Sequence, residues 1–248
     1  MIPAPKGTPG RTLFISDLHL DDSRPGIVAQ FERFLGETAP GADALYILGD
    51  LFEYWVGDDG LALPFPRRVA ALLKEAAARL PVRFMHGNRD FMVAEGFAAE
   101  TGVGLIADPA TIDLYGTRTL LIHGDTLCTG DTAYQAFRAQ VRDPAWQQAA
   151  LARSVAERVA LAQEMRQKSE GAKQGKALAI MDVAPEAVEQ AFADSGCAVM
   201  IHGHTHRPAR HVHRVLGVER VRWVLADWYD RASYLEASPA GIRAVDSV

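Results

Sequence analysis

Three histidines fall on alternate positions in the stretch 201–208, IHGHTHRP, directly after the apolar run Ala198 to Ile201. Side chains two apart on an extended segment point to the same side, so two of the three imidazoles can meet one metal ion or two adjacent ions. Gly203 removes a side chain between the rings and permits a sharp turn at the strand end, which convergence on an ion requires. Alone, the motif fits a surface histidine cluster equally well. It does not stand alone, because four other apolar runs end in metal-binding residue types. Asp17 and His19 follow Thr12 to Ile15, Asp50 follows Ala44 to Leu48, Asn88 follows Val82 to Met85, and His123 follows Thr117 to Ile122. In layered α/β folds ligands sit beyond the carboxyl ends of the strands, so Asp17, His19, Asp50, Asn88, His123, His204 and His206 are expected to form a single site.

These donors are all nitrogen or oxygen, with no thiolate. Seven are too many for one tetrahedral zinc and suit two ions sharing a bridging carboxylate. The donor types accept Mn²⁺, Fe²⁺, Co²⁺ or Zn²⁺ and do not choose among them. Two cations about 3.5 to 4 Å apart can hold a hydroxide and clamp the oxygens of an in-line phosphoryl displacement. The chemistry suggested is hydrolysis of a phosphoester or phosphoanhydride.

The elements that must position these residues alternate strand and helix. Ile27, Val28, Phe31, Phe34 and Leu35 have helical spacing, as do Val69, Leu72, Leu73, Ala76 and Leu80 before Pro81. Thr111 to Tyr115 and Thr117 to Ile122 read as a hairpin around Gly116. From Asp131 to about Ile180 no strand is evident. Asp131 caps a helix bearing Tyr134, Phe137 and Val141, an Ala-rich helix runs from Ala145 through Met165, and the polar stretch Ser169 to Lys176 reads as a loop or hinge. Pro185 starts a helix with Val188, Ala191 and Phe192, and Arg220 to Ala226, Ser233 to Glu236 and Ile242 to Val245 read as three closing strands. The fold class is α/β with a helical insertion.

A chain of 248 residues suffices for one large domain or one domain with an insertion. Its net charge of −5 argues against a nucleic-acid binder working by general electrostatics. Residues 128–183 carry eight Lys or Arg against six Asp or Glu, a net +2 that leaves −7 elsewhere, and make a candidate surface for anions or simply a solvated face. Cys128 and Cys197 are too few for a disulfide scaffold. The leader MIPAPKGTPGR has no signal pattern and no run is long enough to span a membrane. A cytoplasmic monomer is expected.

In this order, DxH, GD, GN, HGD and GHTH resemble the calcineurin-like metallophosphoesterase superfamily. The resemblance implies a β-sandwich flanked by helices, with one metal on Asp17, His19, Asp50 and His206, the other on Asp50, Asn88, His123 and His204, and Asp50 bridging. His202, His86, His211 and His213 are not ligands in that pattern. The superfamily usually has histidine after GN, where this chain has Arg89. Arginine is no general acid at neutral pH but recognises phosphate oxygens bidentately. That favours a leaving group needing no proton, such as a phosphate monoester with a second pKa of about 6, and hence a diphosphate.

The longer strings SDLHL, GDLFEYWVGDD, HGNRDF, LIHGDTLCTGD, IMDV and IHGHTHRP are similar, from residue 12 to about 235, to the UDP-2,3-diacylglucosamine hydrolase family of lipid A biosynthesis. The resemblance implies a core of residues 11–127 and 184–248 and a helical cap of residues 128–183. The cap would receive two acyl chains with Tyr134, Phe137, Val141, Trp146, Leu151, Val155 and Met165, unless that apolar face simply packs on the core. It implies substrate contacts by Asn88, Arg89, Asp131, Ser169, Lys176 and His204. Lys173 stands where the family typically has Asn. It further implies attack by metal-bound hydroxide on the uridine-bearing phosphorus, with UMP and 2,3-diacylglucosamine 1-phosphate (lipid X) as products, and peripheral attachment to the cytoplasmic face of an inner membrane. The rivals are another phosphodiesterase, nuclease or phosphatase on the same fold, which would more naturally keep histidine at position 89, and a non-catalytic scaffold, which would lose ligands.

Overall fold

The strands that carry the first two ligand motifs are largely apolar because both of their faces are covered. In a computed structural model, which describes residues 10–173, 182–229 and 231–246, β1 (Thr12–Ile15) and β2 (Ala44–Leu48) are buried at every position. Leu13, Ile15, Leu45 and Ile47 pack against α1 (Pro25–Arg33) and α2 (Pro64–Ala77) through Phe31, Val69 and Leu73. The alternate residues Phe14, Tyr46 and Leu48 face a second sheet. The first sheet also holds β3 (Val82–Met85), β4 (Gly104–Ile106), β10 (Ser233–Ser238) and β11 (Gly241–Asp246), in the order β11-β10-β1-β2-β3-β4. The second, ordered β5-β6-β7-β9-β8, is built from β5 (Ala110–Leu114), β6 (Thr117–Leu121), β7 (Val199–His202), β8 (Ala209–Val215) and β9 (Val218–Val224). Its outer face packs Leu120, Ile122 and Met200 on Val188 and Phe192 of α7 (Pro185–Ser195). The result is helix, sheet, sheet, helix, the expected sandwich flanked by helices.

Within each sheet the ligand-bearing strands are parallel, β1 with β2 and β2 with β3 in one, β6 with β7 and β7 with β9 in the other. Several local expectations need correction. A helix, α3 (Glu95–Thr101), ended by Gly102 at φ 74°, and the short β4 lie between β3 and the hairpin. The closing strands number four, because Ala209–Val215 forms an edge strand whose side chains, mostly exposed or half-buried, carry no apolar alternation. In the insertion, α4 (Thr132–Val141) starts at Asp131, whose carboxylate accepts the Tyr134 N–H at 3.1 Å. The expected single helix from Ala145 is two, α5 (Pro144–Leu151) and α6 (Val155–Lys173). Ser154 and Glu157 start α6 as a reciprocal capping box, Ser154 N–H donating to Glu157 Oε2 at 2.9 Å and Glu157 N–H to Ser154 Oγ at 3.3 Å. The expected loop at Ser169 is helical as far as Lys173. Lys176 lies outside the described residues. Among the described residues no helix is long and apolar enough to cross a membrane.

Candidate metal centre

Backbone pairing continues past the strand ends and sets the first ligands in place. Asp17 N–H donates to Gly49 O at 3.1 Å, His19 N–H to Asp50 O at 2.9 Å and Leu20 N–H to Leu51 O at 2.8 Å. Beyond the strands the chain turns sharply, and Asp17, His19, Asp50, His204 and His206 all have φ between 49° and 67°. That left-handed region is uncommon for residues other than glycine and costs about 1 to 3 kcal/mol each, a strain concentrated on the residues expected to bind metal. Gly203 serves a different purpose from the expected turn. A Cβ there would lie 2.1 Å from Ser16 Oγ and 2.2 Å from Asp17 Oδ2, so the glycine lets the histidine loop approach the β1 loop.

Two groups of donors result, Asp17 with His19 and His206, and Asp50 with His123 and His204, each with ligand atoms within 4.8 Å of one another. In the first, His19 Nε2 and His206 Nε2 are 3.3 Å apart, and His206 Nε2 is 3.4 Å from Asp17 Oδ1, a buried atom without a hydrogen bond. In the second, Asn88 Oδ1 is 3.1 Å from His123 Nε2 and 2.9 Å from His204 Nδ1. Asp50 lies between the groups, Oδ2 3.8 Å from His19 Nε2 and Oδ1 3.8 Å from His123 Nε2.

The far sides of the imidazoles are held by partners that fix which nitrogen faces inward. His123 Nδ1–H donates to Leu48 O at 2.8 Å, His206 Nδ1 meets Asp227 Oδ2 at 3.1 Å, and His19 Nδ1 is 3.4 Å from Glu53 Oε2. The buried carboxylates demand positive charge. Burial disfavours a charged His123, but Asp50, Asp125 and Asp17 outweigh it and raise its pKa to about 9. For His206, burial is likewise overcome, by Asp17 and Asp227, and the pKa reaches about 10. Burial pushes the Asp17 carboxyl up, yet the His206, His123 and His19 rings hold it well below the usual range. Opposed inward nitrogens, an unbonded buried carboxylate oxygen and a demand for cations fit divalent metal ions.

Three acidic residues that support the site were not singled out in the sequence. Asp90 accepts from the N–H groups of Leu51 at 2.7 Å, Gly87 at 2.8 Å, and Asp50 and Phe52 at 3.3 Å, tying the β2 loop to the β3 loop. Asp227 follows β9 and repeats the strand-then-ligand rhythm, a signal available in the sequence. Glu53 is buried and shared: Arg24 Nη2 donates to it at 2.9 Å, and Arg166 Nε at 2.9 Å, His19 Nδ1 at 3.4 Å and Arg89 Nη1 at 4.0 Å surround it. Burial pushes its carboxyl up, but His19, Arg89 and Arg166 prevail and bring it down to about 2. Glu53→Gln keeps the shape but leaves one acceptor oxygen for these cationic donors, and is expected to weaken divalent-ion affinity about 10- to 100-fold. Titration against a competing chelator measures this, and wild-type affinity would remove Glu53 from the support of His19.

Of the other sequence candidates, Arg89 donates its backbone N–H to Asp50 Oδ1 at 2.8 Å with its guanidinium beside Glu53. His202 is buried with both ring nitrogens engaged, Nδ1–H donating to Gly203 O at 2.9 Å and Nε2 accepting from Arg222 Nη1 at 2.9 Å. His86 Nε2–H donates to Val93 O at 2.7 Å, and His211 and His213 lie on β8. Ser169 and Lys173 fall within α6.

Helices α4 to α6 cover one side of the centre. Tyr134 Oη and Arg138 Nε both donate to Asp125 Oδ2 at 2.7 Å, and Arg142 Nη2 donates to Gly87 O at 2.8 Å. Arg158 donates to Val56 O and Asp59, and Arg166 is ion-paired with Glu53. Phe137 is 40% and Leu151 48% exposed, so part of the apolar face of the insertion is not packed on the core.

The Calcineurin-like phosphoesterase family model matches residues 10–208. The UDP-2,3-diacylglucosamine hydrolase of Xanthomonas axonopodis pv. citri (strain 306) is 50% identical over 237 residues, 93% of this chain and 96% of that protein. The protein of the same name from Stenotrophomonas maltophilia (strain K279a) is 51% identical over 238 residues, with the same coverage of both chains.

Proposed function

The chain belongs to the calcineurin-like phosphoesterase family and, within it, to the UDP-2,3-diacylglucosamine hydrolases, and from that premise we propose how its residues cleave the diphosphate of UDP-2,3-diacylglucosamine to UMP and lipid X. Asp17, His19, Asp50 and His206 would hold one divalent cation and Asp50, Asn88, His123 and His204 the other. The observation that carries this reading is the divided Asp50 carboxylate, one oxygen toward His19 and the other toward His123 at 3.8 Å each. Bound there, two cations, Mn²⁺ in this reading, supply Lewis-acid charge to the phosphate oxygens and lower the pKa of water.

Arg89 binds phosphate oxygens with its guanidinium fork, oriented by Glu53 beside it. Because arginine does not release a proton at neutral pH, the leaving group departs without one, as the phosphate of lipid X can. Water adds to the uridine-bearing phosphorus, and the bridging oxygen leaves with the sugar phosphate. Asn88, His204, Asp131, Ser169, Lys173 and Lys176 contact the substrate's polar groups.

Residues 11–127 and 184–248 form the catalytic core and residues 128–183 the cap. Ala184 N–H donates to Leu127 O at 2.8 Å, so the insertion leaves and rejoins the core at one point. The partly exposed face of Phe137 and Leu151 takes the acyl chains and, with the insertion's net +2, brings the monomer to anionic headgroups on the cytoplasmic face of an inner membrane. Turnover in ¹⁸O-labelled water is expected to place the label in UMP. Label in lipid X would mean that the other phosphorus is attacked.

A further inference from the structure

We propose that Tyr229 is the platform on which the nucleobase of the substrate's UDP half stacks, an inference that rests on the hydrolase reading above. Trp228, just beyond β9, is fully buried, meets Phe31 and Phe34 edge-on and donates its indole N–H to Ser233 O at 2.8 Å. It anchors the turn, while the neighbouring Tyr229 is 47% exposed. The Tyr229 ring lies nearly parallel to that of His19, 5.7 Å away at 14°, and 5.6 Å from the ring of His206. Arg24 Cζ is 5.1 Å from its centre. The loop is tied to the same ligands: Trp228 N–H donates to Asp17 O at 3.3 Å, and Tyr229 N–H to Oδ1 of Asp227, whose Oδ2 holds His206. The ring is thus a fixed, half-open aromatic surface at the rim of the Asp17, His19 and His206 group.

The other exposed large apolar side chains among the described residues lie elsewhere. Phe137 and Leu151 belong to the insertion, and Val212, Leu216 and Val218 to the β8–β9 hairpin, whose turn is at the start of β9 and away from the strand ends. Apart from Arg166, which reaches Glu53 beside His19, the insertion's contacts given above fall on Gly87, Asp125 and the loop at Val56 and Asp59, so the acylated half of the substrate lies toward that side. The nucleotide half, across the scissile bond, then extends toward His19 and His206, where Tyr229 offers a π-face. Stacking of this kind holds any base and is worth about ten-fold or more in affinity.

The test compares UMP with ribose 5-phosphate, which lacks the base, as inhibitors and as calorimetric ligands of the Mn²⁺-loaded enzyme. Tyr229→Ala should weaken UMP binding about ten-fold or more and leave ribose 5-phosphate unaffected, and Tyr229→Phe should retain UMP binding. Equal losses for both ligands would make the ring a support for His19. Unchanged UMP binding, or none by the wild type, would remove the subsite. If the wild type releases UMP from UDP-2,3-diacylglucosamine while Tyr229→Ala binds UMP normally, the subsite alone fails; a wild type that releases none overturns the hydrolase reading and the subsite with it.

Discussion

Replacing Asp50 by Ala lowers turnover by about 10³-fold or more, because the change removes the one carboxylate whose oxygens address both donor groups. Deleting a single stabilising donor from an active site costs about 10² to 10³ in rate, and a group shared by two cations should cost no less. Asp50→Asn supplies the control for folding. It keeps the side chain's volume and an oxygen to accept the Arg89 N–H, but presents only that one oxygen to the two sides. Both variants should bind fewer than two ions per chain by metal analysis after dialysis, and Asp50→Asn should melt close to the wild type. Substantial turnover by either variant in excess metal would remove Asp50 from the bridging position.

Arg89→Ala is expected to lower kcat/KM for UDP-2,3-diacylglucosamine by about 10²-fold or more, the scale for a charge-stabilising donor aimed at a transferring phosphoryl group. Loss on bis(p-nitrophenyl) phosphate should be much smaller, since that substrate has one phosphorus and an aryl leaving group. Arg89→Lys should recover only part of the loss, because a lysine lacks the planar fork. Equal losses on the two substrates would assign the guanidinium to holding Glu53 rather than to the diphosphate.

The residues gathered at the centre were legible because parallel strands deliver their carboxyl ends to one edge of the sandwich, so an apolar run followed by Asp, Asn or His marks both an element and its destination. The backbone that aims them was not legible. Nothing in SDLH or HGHTH dictates left-handed conformations at Asp17, His19, His204 and His206; those follow from tertiary pairing of the β1 and β2 loops and the close approach at Gly203. Glu53 and Asp90 are not legible because the partners are backbone amides for Asp90 and cations distant in sequence for Glu53. Strand β8 carries no such signal because ARHVHRV lies at a solvent-facing edge where no apolar alternation is required. The break between α5 and α6 has no Gly or Pro to mark it, yet Ser154-Val-Ala-Glu157 is a capping box, a helix-start signal present in the sequence.

A metal-dependent diphosphate hydrolase must release UMP only when its ions are present. The most direct test is UMP release from UDP-2,3-diacylglucosamine in detergent by enzyme stripped of metal, with and without added Mn²⁺, beside bis(p-nitrophenyl) phosphate. UMP release is expected to require the metal and to far outpace the diester reaction. Metal-dependent hydrolysis of the diester with no UMP from the lipid would contradict this, leaving a dinuclear phosphoesterase whose substrate is something else.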